Sequence, residues 1–142
     1  SATKRSYRYV IVNRRTPLTI ERGRAWLVNQ PLDEVAMSAA CNHLVGNHDF
    51  TSFRAAECQA KSAIKTLDRL CSIRTGDQLT VTARARSFLH RQVRNIVGTL
   101  VMAGQGKILP DYVPTILAAR NRSTAGPCAP PDGLYLTTVE YD

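Results

Sequence analysis

The strongest constraint on the fold is a pair of strand-like segments joined by a short turn. Residues 78–86 alternate apolar and polar side chains, and residues 66–74 precede them across Thr75-Gly76-Asp77. A period of two is typical of a strand with one buried face, and a short connection with glycine is typical of a β-hairpin. The apolar positions expected to face the core are Leu79, Val81, Ala83 and Ala85. The sequence therefore predicts an antiparallel sheet.

An amphipathic helix is predicted directly after this hairpin. Its apolar stripe, with side chains three or four residues apart, is Leu89, Val93, Ile96, Val97, Leu100 and Val101. We expect Ser87 to cap the helix and Gly104 to end it. His90 and Arg94 lie at the edge of the stripe, where an arginine is half-buried and binds a carboxylate or a phosphate. An ordinary surface ion pair is the alternative for Arg94.

The remaining elements complete an α+β pattern. Residues 13–29 are expected to form an irregular basic connection, and residues 46–65 show no clear period. The other predicted elements are a strand over 5–13, a helix over 32–44 capped by Asp33, a short helix over 111–119 and a strand over 134–141. This order predicts a mostly antiparallel, mixed sheet with helices packed on one face.

Composition narrows the class of partner. The chain has 142 residues, sufficient for one domain, and a net charge of +8. Of its 19 basic residues, 15 are arginine, which favours a phosphate-bearing partner over a basic surface without function. The cysteines, Cys41, Cys58, Cys71 and Cys128, show no zinc-ligand spacing, so we expect no metal site and reduced, mostly buried thiols in the cytoplasm. No apolar run is long enough to span a membrane.

Four stretches, taken in order, resemble the TruA-type tRNA pseudouridine synthases. They are residues 1–9, residues 47–55 with Cys58-Gln59 just after, residues 88–98 (Phe-Leu-His-Arg-Gln-Val-Arg-Asn-Ile-Val-Gly), and residues 133–136 (Gly-Leu-Tyr-Leu). Each motif is weak alone, but together they cover essentially the whole chain. The resemblance implies half of a two-domain pseudouridine synthase fold, with a ferredoxin-like sheet and RNA in the cleft between the halves. It implies isomerisation of uridine to pseudouridine in the anticodon stem-loop of tRNA.

The resemblance also implies roles for individual residues. Tyr7 matches a tyrosine that packs against the target uracil, Arg94 an arginine that pairs with the catalytic aspartate, and Leu134 a leucine near the flipped base. We expect Arg54, His90 and Arg91 to contact RNA. The family uses no metal and no organic cofactor and works as a homodimer.

The catalytic aspartate of the family lies in an Arg-Thr-Asp-Ala-Gly motif that these residues lack. The two Arg-Thr pairs, Arg15-Thr16 and Arg74-Thr75, are followed by proline and glycine. The first residue is Ser1 rather than methionine. We therefore expect residues 1–142 to be the C-terminal domain of a longer synthase and to be inactive in isolation.

Two other classes remain open from the sequence. A non-catalytic RNA-binding module with a ferredoxin-like sheet would use Tyr7 and Tyr9 as stacking aromatics. It would bind single-stranded RNA broadly, whereas a synthase domain would prefer a folded anticodon arm. A hydrolase using His90 and Asp49 is a third hypothesis, although no nucleophile or metal motif accompanies that pair.

Overall fold

The structure, a computed structural model, describes residues 2–55 and 62–142 and has the predicted α+β architecture. Within these residues a mixed sheet of six strands has the order β2-β1-β5-β4-β3, and β6 also pairs with β1. The strands are β1 (Ala2–Asn13), β2 (Trp26–Val28), β3 (Gly46–Asp49), β4 (Ile64–Thr75), β5 (Gln78–Ala85) and β6 (Leu134–Tyr141). All described pairings are antiparallel except that of β1 with β2.

Three α-helices pack on one face of this sheet within the described residues: α1 (Glu34–Leu44), α2 (Gln92–Gly104) and α3 (Val113–Ala119). Side chains of all three helices join one hydrophobic core with the inward side chains of β1, β4 and β5. Fully buried members include Ile11, Met37, Leu79, Ile96 and Ile116. None of these helices is long and apolar enough to cross a membrane.

The predicted hairpin is confirmed. Strands β4 and β5 pair from Thr75↔Gln78 onward and leave Gly76-Asp77 as the turn. Gly76 has φ 62°, a left-handed conformation that favours glycine. The four alternating apolar residues of β5 are buried, as expected. The strand Leu134–Tyr141 is also confirmed.

The cap of α1 is confirmed at the atomic level. The side chain of Asp33 accepts hydrogen bonds from the backbone N–H groups of Val35 at 2.9 Å and Ala36 at 3.1 Å. These are two of the donors that a helix N-terminus leaves without intrahelical partners.

The predicted start of the central helix was wrong. Helix α2 begins at Gln92, because residues 87–91 form a turn in which Arg91 has φ 61°. Ser87 does not cap the helix; its Oγ accepts a hydrogen bond from Lys65 Nζ at 2.9 Å. Leu89 lies before the helix and is still buried, so the apolar stripe continues past the true helix start.

Two short strands carry no signal in the sequence. β3 has the polar sequence Gly-Asn-His-Asp and forms an edge of the sheet through pairing with β4. β2 has three residues and lies parallel to the end of β1, within the stretch expected to be irregular. Both are too short to show a period of two. They are strands because they pair with the longer strands β1 and β4.

The thiols agree only in part with the expectation that most are buried. Cys41 is buried, whereas Cys71 and Cys128 are half-buried, and all three are free. Cys58 lies outside the described residues.

Candidate functional site

A pocket of about 350 Å³ opens between β1, β6 and the turn that precedes α2. Its lining includes five of the six residues predicted for the site: Tyr7, His90, Arg91, Arg94 and Leu134. Phe88, Leu89, Gln92 and Val93 complete it. Residues from both ends of the chain therefore meet the helix start at one concave surface.

Aromatic and apolar groups form one wall of the pocket. The Tyr7 ring packs edge-on against Phe88, with centroids 5.2 Å apart and an interplanar angle of 88°. Leu134 is half-buried at the start of β6, next to the strand that carries Tyr7. Such a wall suits a flat aromatic ring, because stacking and apolar contact require no particular hydrogen-bonding pattern.

Arg94 supplies positive charge to the pocket. Its Nε donates a hydrogen bond to the carbonyl of Ala129 at 2.7 Å, and its own carbonyl accepts one from Ala129 N–H at 3.1 Å. In the described part of the chain, no carboxylate lies within 4.0 Å of its guanidinium. The side chain is thus fixed in orientation by one backbone bond while its two Nη groups can bind a carboxylate or phosphate.

The loop that orients Arg94 is itself held by Tyr9. The Tyr9 side chain is fully buried, and its hydroxyl donates to the carbonyl of Pro130 at 2.5 Å. Burial raises the pKa of Tyr9 well above its usual range. A Cβ at Gly133 would lie 2.6 Å from the Val10 carbonyl oxygen and 2.8 Å from the Tyr9 ring, so only glycine fits there. This close approach positions Leu134, the next residue.

Gln92 closes the base of the pocket beside a strained turn. Its Oε1 accepts the backbone N–H of Leu89 at 2.8 Å, which satisfies a buried donor just before the helix. Its Nε2 is buried and has no hydrogen-bond partner within the described residues. Arg91, the preceding residue, has a left-handed backbone conformation that residues other than glycine rarely adopt. Strain of this kind concentrates at functional sites, where surrounding structure imposes it.

Comparison with known proteins identifies the family. A family model described as tRNA pseudouridine synthase matches residues 40–142. The chain belongs to this family.

Curated relatives extend the match over the whole chain. A protein named tRNA pseudouridine synthase A from Parvibaculum lavamentivorans (strain DS-1) is 56% identical over 142 residues, which are 100% of this chain and 58% of the relative. Proteins of the same name from Bradyrhizobium sp. (strain BTAi1) and Zymomonas mobilis (strain ZM4) are 57% and 55% identical over 141 residues, 99% of this chain and 58% of each relative. The chain therefore spans somewhat over half the length of the relatives it matches.

Arg54, the sixth predicted residue, does not line the pocket. It follows a 3₁₀ turn (Thr51–Phe53) and is half-buried. The next residue, Ala55, donates its N–H to the carbonyl of His90 at 3.1 Å, so the Arg54 segment adjoins the pocket rim. Cys58-Gln59, which carries part of the resemblance, lies outside the described residues.

Two residues on which the alternatives depend do not fit the roles that those alternatives give them. Tyr9 cannot stack on a base, because its side chain has no exposed surface. Asp49 lies in a different pocket from His90, where it accepts hydrogen bonds from Thr51 and lies 3.5 Å from Arg120. The hydrogen bond from the Thr51 hydroxyl is the main interaction that lowers the pKa of Asp49. Asp49 is therefore a weak base, and it does not share a pocket with His90, as the hydrolase hypothesis requires.

Two pocket residues, Phe88 and Gln92, cannot be assigned to the site from local sequence patterns. Phe88 stands inside the family-like stretch, but the helical spacing predicts a helix residue there rather than a partner for Tyr7. Gln92 has the pattern of an ordinary helix residue, and no local signal shows that its amide is buried. No group of three or more His, Cys, Asp or Glu side chains is placed to hold a metal within residues 2–55 and 62–142.

Proposed function

We propose that this chain is the C-terminal domain of a tRNA pseudouridine synthase that isomerises uridine in the anticodon stem-loop. The observation that carries the proposal is the meeting of Tyr7, Arg94 and Leu134 at one pocket in a chain of this family. The chain supplies the wall of the active site and part of the RNA-binding surface. The complete enzyme is a cytoplasmic homodimer that needs no metal and no organic cofactor.

The reaction breaks the bond between the ribose and N1 of uracil, turns the base and joins the ribose to C5. The base must first leave its stack, at a cost of a few kcal/mol. Tyr7, Phe88 and Leu134 offset that cost by contact with the extruded ring, since aromatic stacking contributes about 1–3 kcal/mol per base.

Arg94 binds and orients the catalytic carboxylate, which acts at the bond between the ribose and the uracil. An adjacent guanidinium lowers the pKa of a carboxyl group and keeps it ionised. The Ala129 carbonyl holds Nε in place, so the Nη groups can bind this carboxylate with a defined orientation. We propose that the aspartate comes from the Arg-Thr-Asp-Ala-Gly segment of the longer protein.

The test is release of tritium from an anticodon-arm RNA that carries 5-tritiated uridine. The chain is assayed alone and fused to the segment with the aspartate motif. We expect release only from the fused protein, and we expect Arg94→Ala to abolish nearly all of it while RNA binding persists. Release from residues 1–142 alone would refute the proposed role of Arg94, because a carboxylate within this chain would then do the work.

Binding measurements address the proposed RNA contacts and the competing class. Arg91→Ala should weaken RNA binding and flatten its salt dependence, as expected when a cation that binds a phosphate is removed. Equal affinity for unstructured RNA and a folded anticodon arm, together with no tritium release from the fused protein, would favour a non-catalytic RNA-binding module.

A further inference from the structure

A second recess lies at the same end of the sheet as the uridine pocket. It has a volume of about 420 Å³, and its lining includes Lys4, Lys65, Arg86 and Ser87. Ser87 lines this recess and the next residue, Phe88, lines the uridine pocket. The two concavities therefore adjoin on either side of one backbone segment.

The recess holds more positive than negative charge. Lys4 is paired with Asp68, with Nζ and Oδ2 2.5 Å apart, and this pair is close to neutral. Lys65 Nζ donates to the neutral hydroxyl of Ser87 at 2.9 Å. The exposed Arg86 guanidinium makes no hydrogen bond or ion pair with any other described residue. Two cations thus face the recess without a carboxylate partner in the described structure.

Three other basic side chains, two on strands and one just after β1, have carboxylate partners. Arg84 donates to both carboxylate oxygens of Glu140 at 3.0 and 3.1 Å. Arg74 lies 3.3 Å from Glu34, and Arg14 lies 2.9 Å from Glu21. Lys65 and Arg86 differ from these residues because their charge is left for an anion.

We propose that this recess binds a phosphate of the RNA strand whose base enters the adjoining pocket. The inference rests on the proposed function, since it assumes that a uridine occupies that pocket. Arg86 offers the bidentate fork that matches phosphate oxygens, Lys65 a compact positive charge, and Ser87 a hydroxyl donor. Base and phosphate then bind on opposite sides of Ser87-Phe88, which fixes the register of the strand.

The test is the salt dependence of binding to an anticodon stem-loop RNA, measured by fluorescence anisotropy between about 50 and 200 mM salt. The test variant is Lys65→Gln with Arg86→Gln. The control, Arg15→Gln with Arg22→Gln, removes the same charge from exposed residues in the connection that follows the other end of β1. Circular dichroism melting of each variant establishes that it is folded.

The plot of the logarithm of the association constant against the logarithm of the salt concentration has a negative slope. We expect the test variant to make this slope shallower by about 0.7–0.9 for each phosphate that it no longer binds. At about 100 mM salt this corresponds to affinity about fivefold to eightfold weaker for each such phosphate. The control variant should keep the wild-type slope. An unchanged slope in the test variant, or equal changes in both variants, would overturn the phosphate site.

Further outcomes separate this proposal from the proposed function. A reduced slope in the test variant with no tritium release from the fused protein would support the recess and contradict the synthase proposal. Tritium release from the fused protein, together with an unchanged slope in the test variant, would support the synthase proposal and contradict the phosphate site. If inorganic phosphate shifts the NMR signals of Lys65 and Ser87 but the RNA does not, the recess takes a free anion and the proposal fails. Absence of RNA binding by both the wild-type chain and the fused protein would overturn both proposals.

Discussion

Replacement of Tyr9 by phenylalanine tests how the loop before β6 is held. The substitution removes one oxygen and keeps the ring, which packs edge-on against Trp26 at a centroid distance of 6.3 Å. The hydroxyl that is removed is the donor to the Pro130 carbonyl, and the side chain that carries it has no exposed surface. The space that the hydroxyl leaves is inside the core, whereas Pro130 itself is half-buried, so the carbonyl loses its protein donor and water can replace that donor only in part.

The expected cost follows from that geometry. Because Pro130 is half-buried, loss of its donor costs less than it would for a fully buried acceptor, and we expect a loss of about 1–2 kcal/mol in the free energy of unfolding. For a domain of this size that corresponds to a fall in Tm of roughly 3–8 °C. Because Ala129 lies beside Pro130 and accepts from Arg94, turnover of the fused enzyme should also fall.

The pH dependence gives a second signature. Burial places the pKa of Tyr9 in the folded state above its ordinary value of 10.0. The folded state therefore holds this proton more tightly than the unfolded state. The resulting stability is complete below pH 10.0 and is lost as the pH rises above that value. The phenylalanine variant should lack this decline.

The assay is urea unfolding at about pH 7 and above about pH 10, on either side of the ordinary tyrosine pKa, with Tyr135→Phe as the matched control. The Tyr135 hydroxyl also donates to a backbone carbonyl, that of Arg24 at 2.6 Å, but at an exposed position where water can replace it. We expect the control to lose less than about 0.5 kcal/mol. Equal losses in the two variants, or a Tyr9→Phe loss below about 0.5 kcal/mol, would refute the reasoning.

Three further predictions concern the core and the pocket floor. Gln92→Met removes both the acceptor for the Leu89 N–H and an amide that has no partner among the described residues, so the free energy of unfolding should change by less than about 1 kcal/mol. Hydrogen exchange of Leu89, measured by NMR, should accelerate at least about tenfold, and unchanged exchange would contradict this. Gly98→Ala would place a Cβ 1.6 Å from the Pro127 carbonyl oxygen, and urea unfolding should show a loss of about 3 kcal/mol or more; a loss under about 1 kcal/mol would contradict this close approach. Burial raises the pKa of Cys41 to about 12, so peptide mapping after iodoacetamide treatment at about pH 8 should find Cys41 unmodified in the folded protein and modified in urea.

The parts of the fold with a regular period were predictable. The hairpin and the last strand carry alternation, and the first helix carries a cap signal at Asp33. The start of α2 could not be predicted, because Leu89 keeps the helical spacing while its backbone belongs to a turn. The left-handed Arg91 has no sequence signature, since arginine is not a residue that favours this conformation.

Five of the six residues predicted for the site line the candidate pocket, but Arg54 does not, and neither Phe88, Gln92 nor the contacts within the pocket were predictable. The family-like motifs bring Tyr7, Arg94 and Leu134 to the same pocket. Spacing along the chain cannot show that the Ala129 carbonyl binds Arg94, because a loop determines that hydrogen bond. The recess at Lys65 and Arg86 was equally hidden, since its charges become neighbours only through pairing of β4 and β5.

The pairing of β1 with β6 has a consequence for how the protein acquires its site. Tyr9 lies opposite Leu134, so this ladder joins residues nearly a whole chain length apart. Contacts between such distant residues form slowly and late in folding. On the ribosome, the hairpin and α2 can associate early, but the pocket has no second wall until β6 has been synthesised and released. The pocket is therefore completed only when β6 pairs with β1. Pulse-labelled hydrogen exchange during refolding should accordingly protect the β1–β6 amides after those of β4 and β5; simultaneous protection would contradict this order.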